Sequence, residues 1–376
     1  MATYYIDSLS GSDENDGKSA LTPRDSLHGL KISAGDTVLF RRGSEYRNTC
    51  LFYSGDVGQP VTFSAYGDGE APRFYGSKSA GEIYLWENVR DNVWKYKLPL
   101  KSEVGNVVYD FGEECGELVW DEESLDENGK WYFSDYGCKS LPSHDAYLLI
   151  YCDCNPAQKY RSIEICLYGE RKMLCGSNVK FEGLHFLCGG VHGYAETNAT
   201  NVSFSECIFE HIGGCVWDKD KKIRFGNGVE FWNGAENVKI ENCDFYDIYD
   251  SCFTTQGDGD NCGEFKNIDV LSNNFSNYGM AAYEIRDKIG KNVRFEFNVC
   301  DGAGAGFSML TDISPRMSEI YPEPMGYHIF AWRISNPTAG GQIRIMSNIF
   351  RGIPAGKKTI YADISPDAKT QILTDF

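Results

Sequence analysis

Two glutamates in the second half of the chain, Glu230 and Glu284, carry the functional group that acid–base chemistry on a sugar linkage requires. Each belongs to a short apolar strand pattern, residues 228–232 for the first and 280–284 for the second. If these strands stack two rungs apart, the carboxyl groups share one wall at a spacing of roughly 10 Å before side-chain reach. Glycoside hydrolysis uses carboxyl pairs about 5 Å apart for retention and about 6.5–9.5 Å apart for inversion. Two long glutamate side chains therefore fit the inverting range.

Other polar and aromatic residues near these strands complete a candidate sugar site. Asp250 opens the strand between them and is the third catalytic candidate. Trp232 beside a carboxyl group would desolvate it and raise its pKa towards that of a general acid. The plain alternative is that both glutamates are solvated strand charges, that Asp250 caps a turn and that Trp232 only packs. The residues predicted to bind the substrate are Trp232, Arg286, Gln256, Asn227, His192, Tyr194, Thr255 and His328.

A nine-residue motif that recurs along the second half of the chain predicts how these residues are positioned. Successive copies start 23, 36, 30, 25 and 50 residues apart. A constant motif separated by loops of variable length is typical of a solenoid, in which one structural unit repeats. The copies begin at Asn178, Asn201, Asn237, Asn267, Asn292 and Gln342.

Apolar residues alternate within each copy, as in Val238 and Ile240, which predicts a strand with one buried face. Phenylalanine stands eight residues after the start in most copies, and Asn273, Asn298 and Asn348 stand six residues after it. Stacked rungs would bring these side chains into aromatic and asparagine ladders. The pattern therefore favours a parallel β-helix. An antiparallel sandwich also has many short strands, but it would not place the same motif at the same point of each unit.

A second short strand is predicted after each motif, at residues 190–194, 228–232, 251–255, 280–284 and 306–310. Alignment on the small residues Cys252 and Ala281 turns Thr254 towards the core and turns Phe253 and Thr255 outward. This register is an assumption, because a slip of one residue reverses every side chain of a strand.

Composition excludes several classes of function. A net charge of −18 argues against binding nucleic acid or a uronate-rich polymer, which requires a basic face. No apolar run is long enough for a membrane helix. The first residues lack the features of a signal peptide, so the expected location is cytoplasmic, or secreted if a leader has been removed. The 14 cysteines are interpreted as mostly buried free thiols in a reducing compartment, with disulfides as the alternative.

The N-terminal stretch resembles the first coils of carbohydrate-active, right-handed parallel β-helix proteins. The similarity lies in YYIDSLSGSDENDGKS, AGDTVLFRRGSEYR and GQPVTFSAYGDGEAPRFYGS. The resemblance implies an all-β, right-handed parallel β-helix of the pectate-lyase-like kind. Strand patterns without the rung rhythm predict a small antiparallel β module inserted at 84–165. The predicted divisions are thus 1–83 for the cap and first coils, 84–165 for the module, and 166–376 for the main coils and C-terminal cap.

For the chemistry, the chain is similar to the cleft rungs of a bacterial β-helix group. This similarity rests on RFGNGVEFWNGAENVKIENCDFYDIYDSCFTTQG and MAAYEIRD. In related β-helix xylosidases a strand ending in glutamate matches 280–284, which implies an acid/base role for Glu284. Thr255 stands where those enzymes have a nucleophilic aspartate, so their retaining mechanism does not transfer directly. The aspartate-rich motifs of polygalacturonases are absent.

The sequence therefore predicts a glycoside hydrolase with a carbohydrate substrate, no cofactor, no nucleic-acid or membrane partner, and homo-oligomer formation left open. One alternative is a polysaccharide lyase that uses Arg286, Lys288, His192 or Tyr194. Another is a non-catalytic glycan-binding solenoid. A loop with Asp258, Asp260, Asn261 and Glu264 offers oxygen ligands for calcium, although a plain polar turn explains it better.

Overall fold

The chain forms a parallel β-helix whose coils each present strands on three faces. The structure is a computed structural model, and it describes residues 1–137, 142–309, 325–334, 341–365 and 370–375. Strands of successive coils pair in parallel, and the chain visits the first, second and third face in turn. The predicted fold class, a right-handed parallel β-helix with an inserted antiparallel module, is confirmed.

Two long strands, His192–Ser205 and Val229–Glu241, run around a corner and join the first face to the third. The other strands of the first face are Thr3–Ile6, Thr37–Arg41, Val61–Tyr66, Val179–Glu182, Phe265–Leu271, Lys291–Glu296, Gly341–Met346 and Thr370–Thr374. The second face contains Glu45–Arg47, Arg73–Tyr75, His185–Leu187, Ile208–Ile212, Asp244–Ile248, Asn274–Tyr278, Val299–Ala303 and Ile349–Arg351. The third face contains Leu51–Phe52, Lys172–Cys175, Ser251–Gln256, Ala281–Arg286, Tyr327–Ile334 and Ile360–Ile364.

The predicted ladders are present inside the coils. Phe209, Phe245 and Phe275 stack with ring centroids 5.0 Å apart at each step. The buried Asn273 amide donates to Asn298 Oδ1 at 3.0 Å, and Asn298 makes the same bond to the next rung. Like side chains on successive rungs thus satisfy each other's polar groups in the core.

The asparagine that opens each motif has a backbone role that the sequence pattern did not reveal. Asn201, Asn237 and Asn267 have φ near +55°, in the left-handed region that asparagine tolerates better than most residues. Their amides also form an outer ladder, with Asn237 donating to Asn201 and Asn267 donating to Asn237 at 3.0 Å each. The motif starts with asparagine because this corner of the coil needs both properties.

The inserted module consists of two antiparallel sheets that share one buried core. Its strands are Ser77–Ser79, Val104–Tyr109, Glu114–Cys115 and Ile163–Leu167 in one sheet, and Trp86–Arg90, Val93–Tyr96, Trp131–Phe133 and Leu148–Tyr151 in the other. Ile163–Leu167 pairs antiparallel with Val104–Tyr109, so the first solenoid strand after the insert is Lys172–Cys175. The residue boundaries proposed for the three divisions remain predictions.

The register on the third face differs from the prediction at one strand. Phe253 pairs with Val229 and Tyr283 and lies in the core, whereas Thr254 pairs with Glu230 and Glu284. The assumed alignment on Cys252 was wrong because Cys252 and Phe253 are both buried at the start of this strand. The strand predicted at 306–310 was also wrong, since Phe307–Met309 is a 3-10 helix and Tyr327–Ile334 supplies that rung. Leu310 lies outside the described residues.

Among the residues that the structure describes, helical structure is limited to short turns. These are the α-helix Pro156–Lys159 and the 3-10 helices Ile83–Leu85, Asp110–Gly112, Glu122–Ser124, Gly259–Asn261 and Phe307–Met309. Within the described part of the chain, no helix has the length and apolar character needed to cross a membrane. The cysteines of the described residues are free thiols, and most of them are buried.

Candidate active site

A cleft of about 600 Å³ opens on the third face of the β-helix. Its floor is formed by the strands around Glu230 and Glu284, and one side is formed by a hairpin of Cys215–Asp218 and Ile223–Phe225. Eight predicted site residues line the cleft: Glu230, Glu284, Asp250, Trp232, Arg286, Gln256, Asn227 and His192.

The two glutamates lie on one row of the cleft floor. Glu230 pairs with Thr254 on the next rung, and Thr254 pairs with Glu284 on the rung after it. The backbone spacing is therefore two rungs, or roughly 10 Å. Both carboxyl groups are nearly inaccessible, at 5% exposure for Glu230 and 2% for Glu284. The interpretation as solvated strand charges is thus wrong for both residues.

Glu230 is held by two amide donors. Its Oε2 accepts from Asn227 Nδ2 at 2.8 Å and from Gln256 Nε2 at 2.7 Å. Two N–H donors on one oxygen fix the orientation of this carboxyl group in the cleft.

His192 stands next to Glu230, with Nδ1 at 3.5 Å from the carboxylate. The backbone N–H of Asn227 donates to His192 Nδ1 at 3.2 Å, so this nitrogen is an acceptor. Burial lowers the pKa of His192, which keeps the imidazole neutral near pH 7. The proton of the neutral ring is consequently on Nε2, and His192 does not form an ion pair with Glu230.

Glu284 has a different environment. Burial raises the pKa of Glu284 to about 7, and the nearby charge of Asp250 raises it as well. Arg286 and a hydrogen bond from Trp332 act in the opposite direction without cancelling the effect. Trp332 Nε1 donates to Glu284 Oε1 at 2.8 Å. Because an indole N–H can only donate, Oε1 is the acceptor of this bond, and Oε2 accepts from the Ser251 hydroxyl at 3.4 Å.

Asp250 is buried at the cleft floor, where its Oδ2 accepts from the backbone N–H of Gly226 at 3.1 Å. Its influence on the pKa of Glu284 shows that these two carboxyl groups are close enough to interact. Asp250 therefore shares the cleft with both glutamates, as the sequence predicted.

Arg286 organises the residues around both carboxyl groups. Its guanidinium lies between two indole rings, with Cζ 5.3 Å from the centroid of Trp232 and 5.5 Å from that of Trp332. Its Nη1 donates to Gln256 Oε1 at 3.1 Å, which turns the Gln256 amide nitrogen towards Glu230. One arginine thus fixes the amide that binds Glu230 and packs against the indole that binds Glu284.

Three predicted substrate-binding residues do not reach the cleft. Tyr194 is in the hydrophobic core, and its hydroxyl donates to the Gly176 carbonyl at 2.7 Å. Thr255 points inward and shares a hydrogen bond of 3.1 Å with the Tyr283 hydroxyl, as the corrected register requires. His328 is also fully buried, stacked on Phe350. These three assignments are wrong because each side chain lies inside the coil.

Several cleft residues were missed by sequence reasoning. Trp332 belongs to a strand that was predicted at the wrong place, and Trp217 lies on a hairpin that lacks the rung motif. Trp217 is 54% exposed at the rim of the cleft and packs edge-on against Phe225. The signal that could have found Trp217 is a lone tryptophan in a gap between two motif copies. The segment Glu170–Lys172 and Arg333 complete the rim.

The calcium interpretation of the loop that contains Asp258 and Glu264 gains no support from the described side chains. Glu264 binds the ammonium groups of Lys288 and Lys291, at 3.3 and 3.0 Å. A calcium ion would have to compete with both cations. The side chain of Asp260 lies outside the described residues, so the expectation of no cofactor, with calcium at this loop as the alternative, remains a prediction. Lys288, a candidate base for elimination, also donates to the Cys262 carbonyl and does not line the cleft.

Comparison with known proteins gives carbohydrate-active relatives. No family model matches the chain. A lacto-N-biosidase of Bifidobacterium longum subsp. longum is 33% identical over 104 residues, a match that covers 25% of this chain and 6% of that protein. The chain therefore spans only a small part of this relative.

Solved structures match over most of the chain. A GH136 lacto-N-biosidase from Eubacterium ramulus has a TM-score of 0.51 at 17% identity, covering 93% of this chain and 52% of that one. XylC in complex with xylose has a TM-score of 0.55 at 12% identity, covering 93% and 69%. Pectate lyase Pel9A has a TM-score of 0.51 at 13% identity, covering 100% and 68%. These likenesses show the fold, and the resemblance to carbohydrate-active parallel β-helix proteins is confirmed.

Proposed function

We propose that this protein is a glycoside hydrolase. The observation that carries the proposal is a pair of buried carboxyl groups on one row of the cleft floor, held in different surroundings. Glu230 accepts two amide hydrogen bonds, while burial raises the pKa of Glu284 to about 7. A carboxyl group whose pKa is raised towards neutrality is typical of a general acid in catalysis.

In the proposed mechanism, Glu284 is the general acid. Its carboxyl group gives a proton to the glycosidic oxygen as the bond to the anomeric carbon breaks, and the leaving group departs as an alcohol. Glu230 acts on the opposite side of the sugar, either by taking a proton from the attacking water or by attacking the anomeric carbon. The distance between the reacting carboxyl groups decides between these routes. The stereochemistry of the product shows which route is used.

Three further features support a sugar substrate. Trp217 and Trp232 provide flat faces for ring stacking, and Asn227 and Gln256 are amide groups of the kind that bind hydroxyls. The relatives named lacto-N-biosidase act, by their names, on a glycan. The expected absence of a cofactor, the cytoplasmic or secreted location and the oligomeric state remain predictions.

A polysaccharide lyase is the second candidate because the cleft rim carries cations that could neutralise a uronate. Arg171, Lys172 and Arg333 line the cleft of an otherwise acidic protein. His192 is not suited to be the base of such a reaction, because its Nδ1 already accepts from the Asn227 N–H and its Nε2 carries the ring proton. Hydrolysis is favoured because the elimination reaction makes no use of a protonated Glu284.

One experiment separates these functions. The wild-type protein is incubated with neutral and uronate-containing glycans, and both reducing ends and the ultraviolet absorbance of unsaturated uronates are followed. A hydrolase releases reducing ends without that absorbance, whereas a lyase produces both. Binding to a glycan array without any turnover would show a binding protein and would contradict the proposal.

A further inference from the structure

A second cavity of about 210 Å³ adjoins the cleft. Three residues, Glu170, Lys172 and His192, line both spaces. His192 is also the residue whose Nδ1 lies 3.5 Å from the Glu230 carboxylate. The cavity therefore lies next to Glu230, on the side of Glu230 that faces away from Glu284.

The wall of this cavity is built by the segment through which the inserted module rejoins the solenoid. Residues 167–170 and 172–173 of that segment face Cys50 and Tyr75 from the early coils. Tyr168 packs against Phe225, which is in turn part of the cleft wall. A solenoid without this insert would lack the wall, so the cavity is a specific consequence of the module.

The size of the cavity indicates what fits there. Independent ligand sites usually measure about 300–1,000 Å³, so a space of 210 Å³ is too small for one, although the adjoining cleft falls within that range. At about 30 Å³ for each water molecule, the cavity has room for about seven waters. A single sugar ring occupies such a space, whereas a second ring would not.

The lining has the character of a sugar site. Tyr75 and Tyr168 supply aromatic surface, and Met173 and Val191 add apolar area. Thr49 supplies a hydroxyl group, and Glu170 and Lys172 supply charged polar groups at the junction with the cleft. A mostly apolar wall with a few polar groups is how proteins orient a small polar ligand.

We infer that the second cavity is a sugar-binding subsite, which takes one further sugar unit of the glycan that is cleaved beside Glu230 and Glu284. This inference rests on the proposed hydrolase function. Since Glu284 protonates the leaving group, the cavity beyond Glu230 holds the sugar on the non-reducing side of the cleaved bond. The inserted module thereby selects substrates by chain length.

The test fills the cavity without touching the carboxyl pair. Cys50 is half-buried in the cavity wall, so Cys50→Phe occupies the space, and Cys50→Ser is the matched control that leaves it open. Thr49→Phe is a second filling variant. Thermal unfolding checks that each variant is folded. The measured quantity is kcat/KM for a cleaved glycan and for the same glycan shortened by one sugar at its non-reducing end.

We expect the filling variants to lower kcat/KM for the longer glycan by about tenfold or more, a free-energy change of about 1.4 kcal/mol. Cleavage of the shorter glycan should stay within about twofold, and Cys50→Ser should match the wild type. Turnover with an unchanged preference for length in folded Cys50→Phe and Thr49→Phe would overturn the subsite. Absence of turnover on any glycan by the wild-type protein would instead overturn the hydrolase function on which it rests.

Discussion

The first and third faces of this β-helix are built by the same coils but differ in their polar side chains. The first face repeats one polar residue from rung to rung, whereas the third face changes it. On the first face each corner asparagine bonds to its own counterpart on the next rung, as Asn267 does to Asn237. On the third face successive rungs carry Glu230, Thr254 and Glu284 on one row. When one residue repeats, the same hydrogen bond forms at every rung. A row of different residues instead places chemically different groups side by side, as a functional site requires.

This difference separates stability from function within one architecture. The ladders pair neutral amides, which lose little when buried because each partner is present. The cleft floor buries carboxyl groups, and the cost appears as the raised pKa of Glu284. Changes in the cleft should therefore alter activity and its pH dependence, while changes in the ladders should alter stability alone.

The largest expected effect is on catalysis. Replacing Glu230 or Glu284 by glutamine keeps the shape but removes the proton transfer or the anion, and we expect a loss of kcat on the order of 10²–10⁴-fold for either. Glu236→Gln is the control, because Glu236 is exposed on the same strand as Glu230. Initial rates on a cleaved glycan measure the effect. Near wild-type rates for both cleft variants would remove the carboxyl pair from the mechanism.

The next effect concerns stability in the same cleft. The pKa of Glu284 rises from 4.5 to about 7 on folding, so the folded state binds its proton more tightly and stability falls as pH rises through this window. Glu284→Gln removes that loss. We expect a higher free energy of unfolding at pH 8, by about 3 kcal/mol at most, and little change at pH 4.5. Denaturant unfolding at both pH values measures this, and equal effects at both would contradict the burial of an ionisable group.

A substitution in the buried asparagine ladder should change the free energy of unfolding by about as much as Glu284→Gln does, but it should leave kcat unchanged. Asn273 Oδ1 accepts from the Cys243 N–H at 2.9 Å, and its amide donates to Ile240 and Asn298. Asn273→Ala leaves buried groups unpaired, so we expect a loss of about 1–3 kcal/mol with kcat unchanged. The exposed neighbour Asn274→Ala should change stability by less than about 0.5 kcal/mol. A large fall in kcat for folded Asn273→Ala would break the separation between the two faces.

The smallest effect is a shift in pH dependence. The Trp332 N–H favours the ionised form of Glu284, so Trp332→Phe should raise the pKa of Glu284 and move the alkaline limb of kcat/KM to higher pH by a fraction of a unit. Trp217→Phe is the control, because Trp217 is at the rim and does not contact Glu284. A shift to lower pH in Trp332→Phe would contradict the assigned hydrogen bond.

The contrast between the faces also explains what the sequence could predict. The ladders follow from repeated residues at fixed spacing, so Asn273, Asn298 and the stacked phenylalanines were expected and are present. The cleft strand at Thr254 carries no repeated residue, and two consecutive buried side chains at its start hide its register. Both glutamates were still placed on one wall, because each stands between inward apolar residues of its own strand and does not depend on the strand between them.

Residues from irregular segments were beyond prediction. Trp332 belongs to a strand that follows a long gap without the motif, and Trp217 belongs to a hairpin outside the repeated motif. The inward positions of Tyr194 and His328 could not be predicted from the alternation of apolar residues. Both lie near the start of a strand where consecutive side chains are all buried. Tertiary packing therefore decided which aromatic residues reach the cleft.

The pH dependence of kcat/KM for the wild-type protein tests the central claim most directly. If the cleft hydrolyses a glycan with Glu284 as the proton donor, kcat/KM should fall tenfold per pH unit above an apparent pKa of about 7. The same limb should be missing from the residual activity of Glu284→Gln. A rate that stays level between pH 6 and 9, or a limb that persists in Glu284→Gln, would contradict the account.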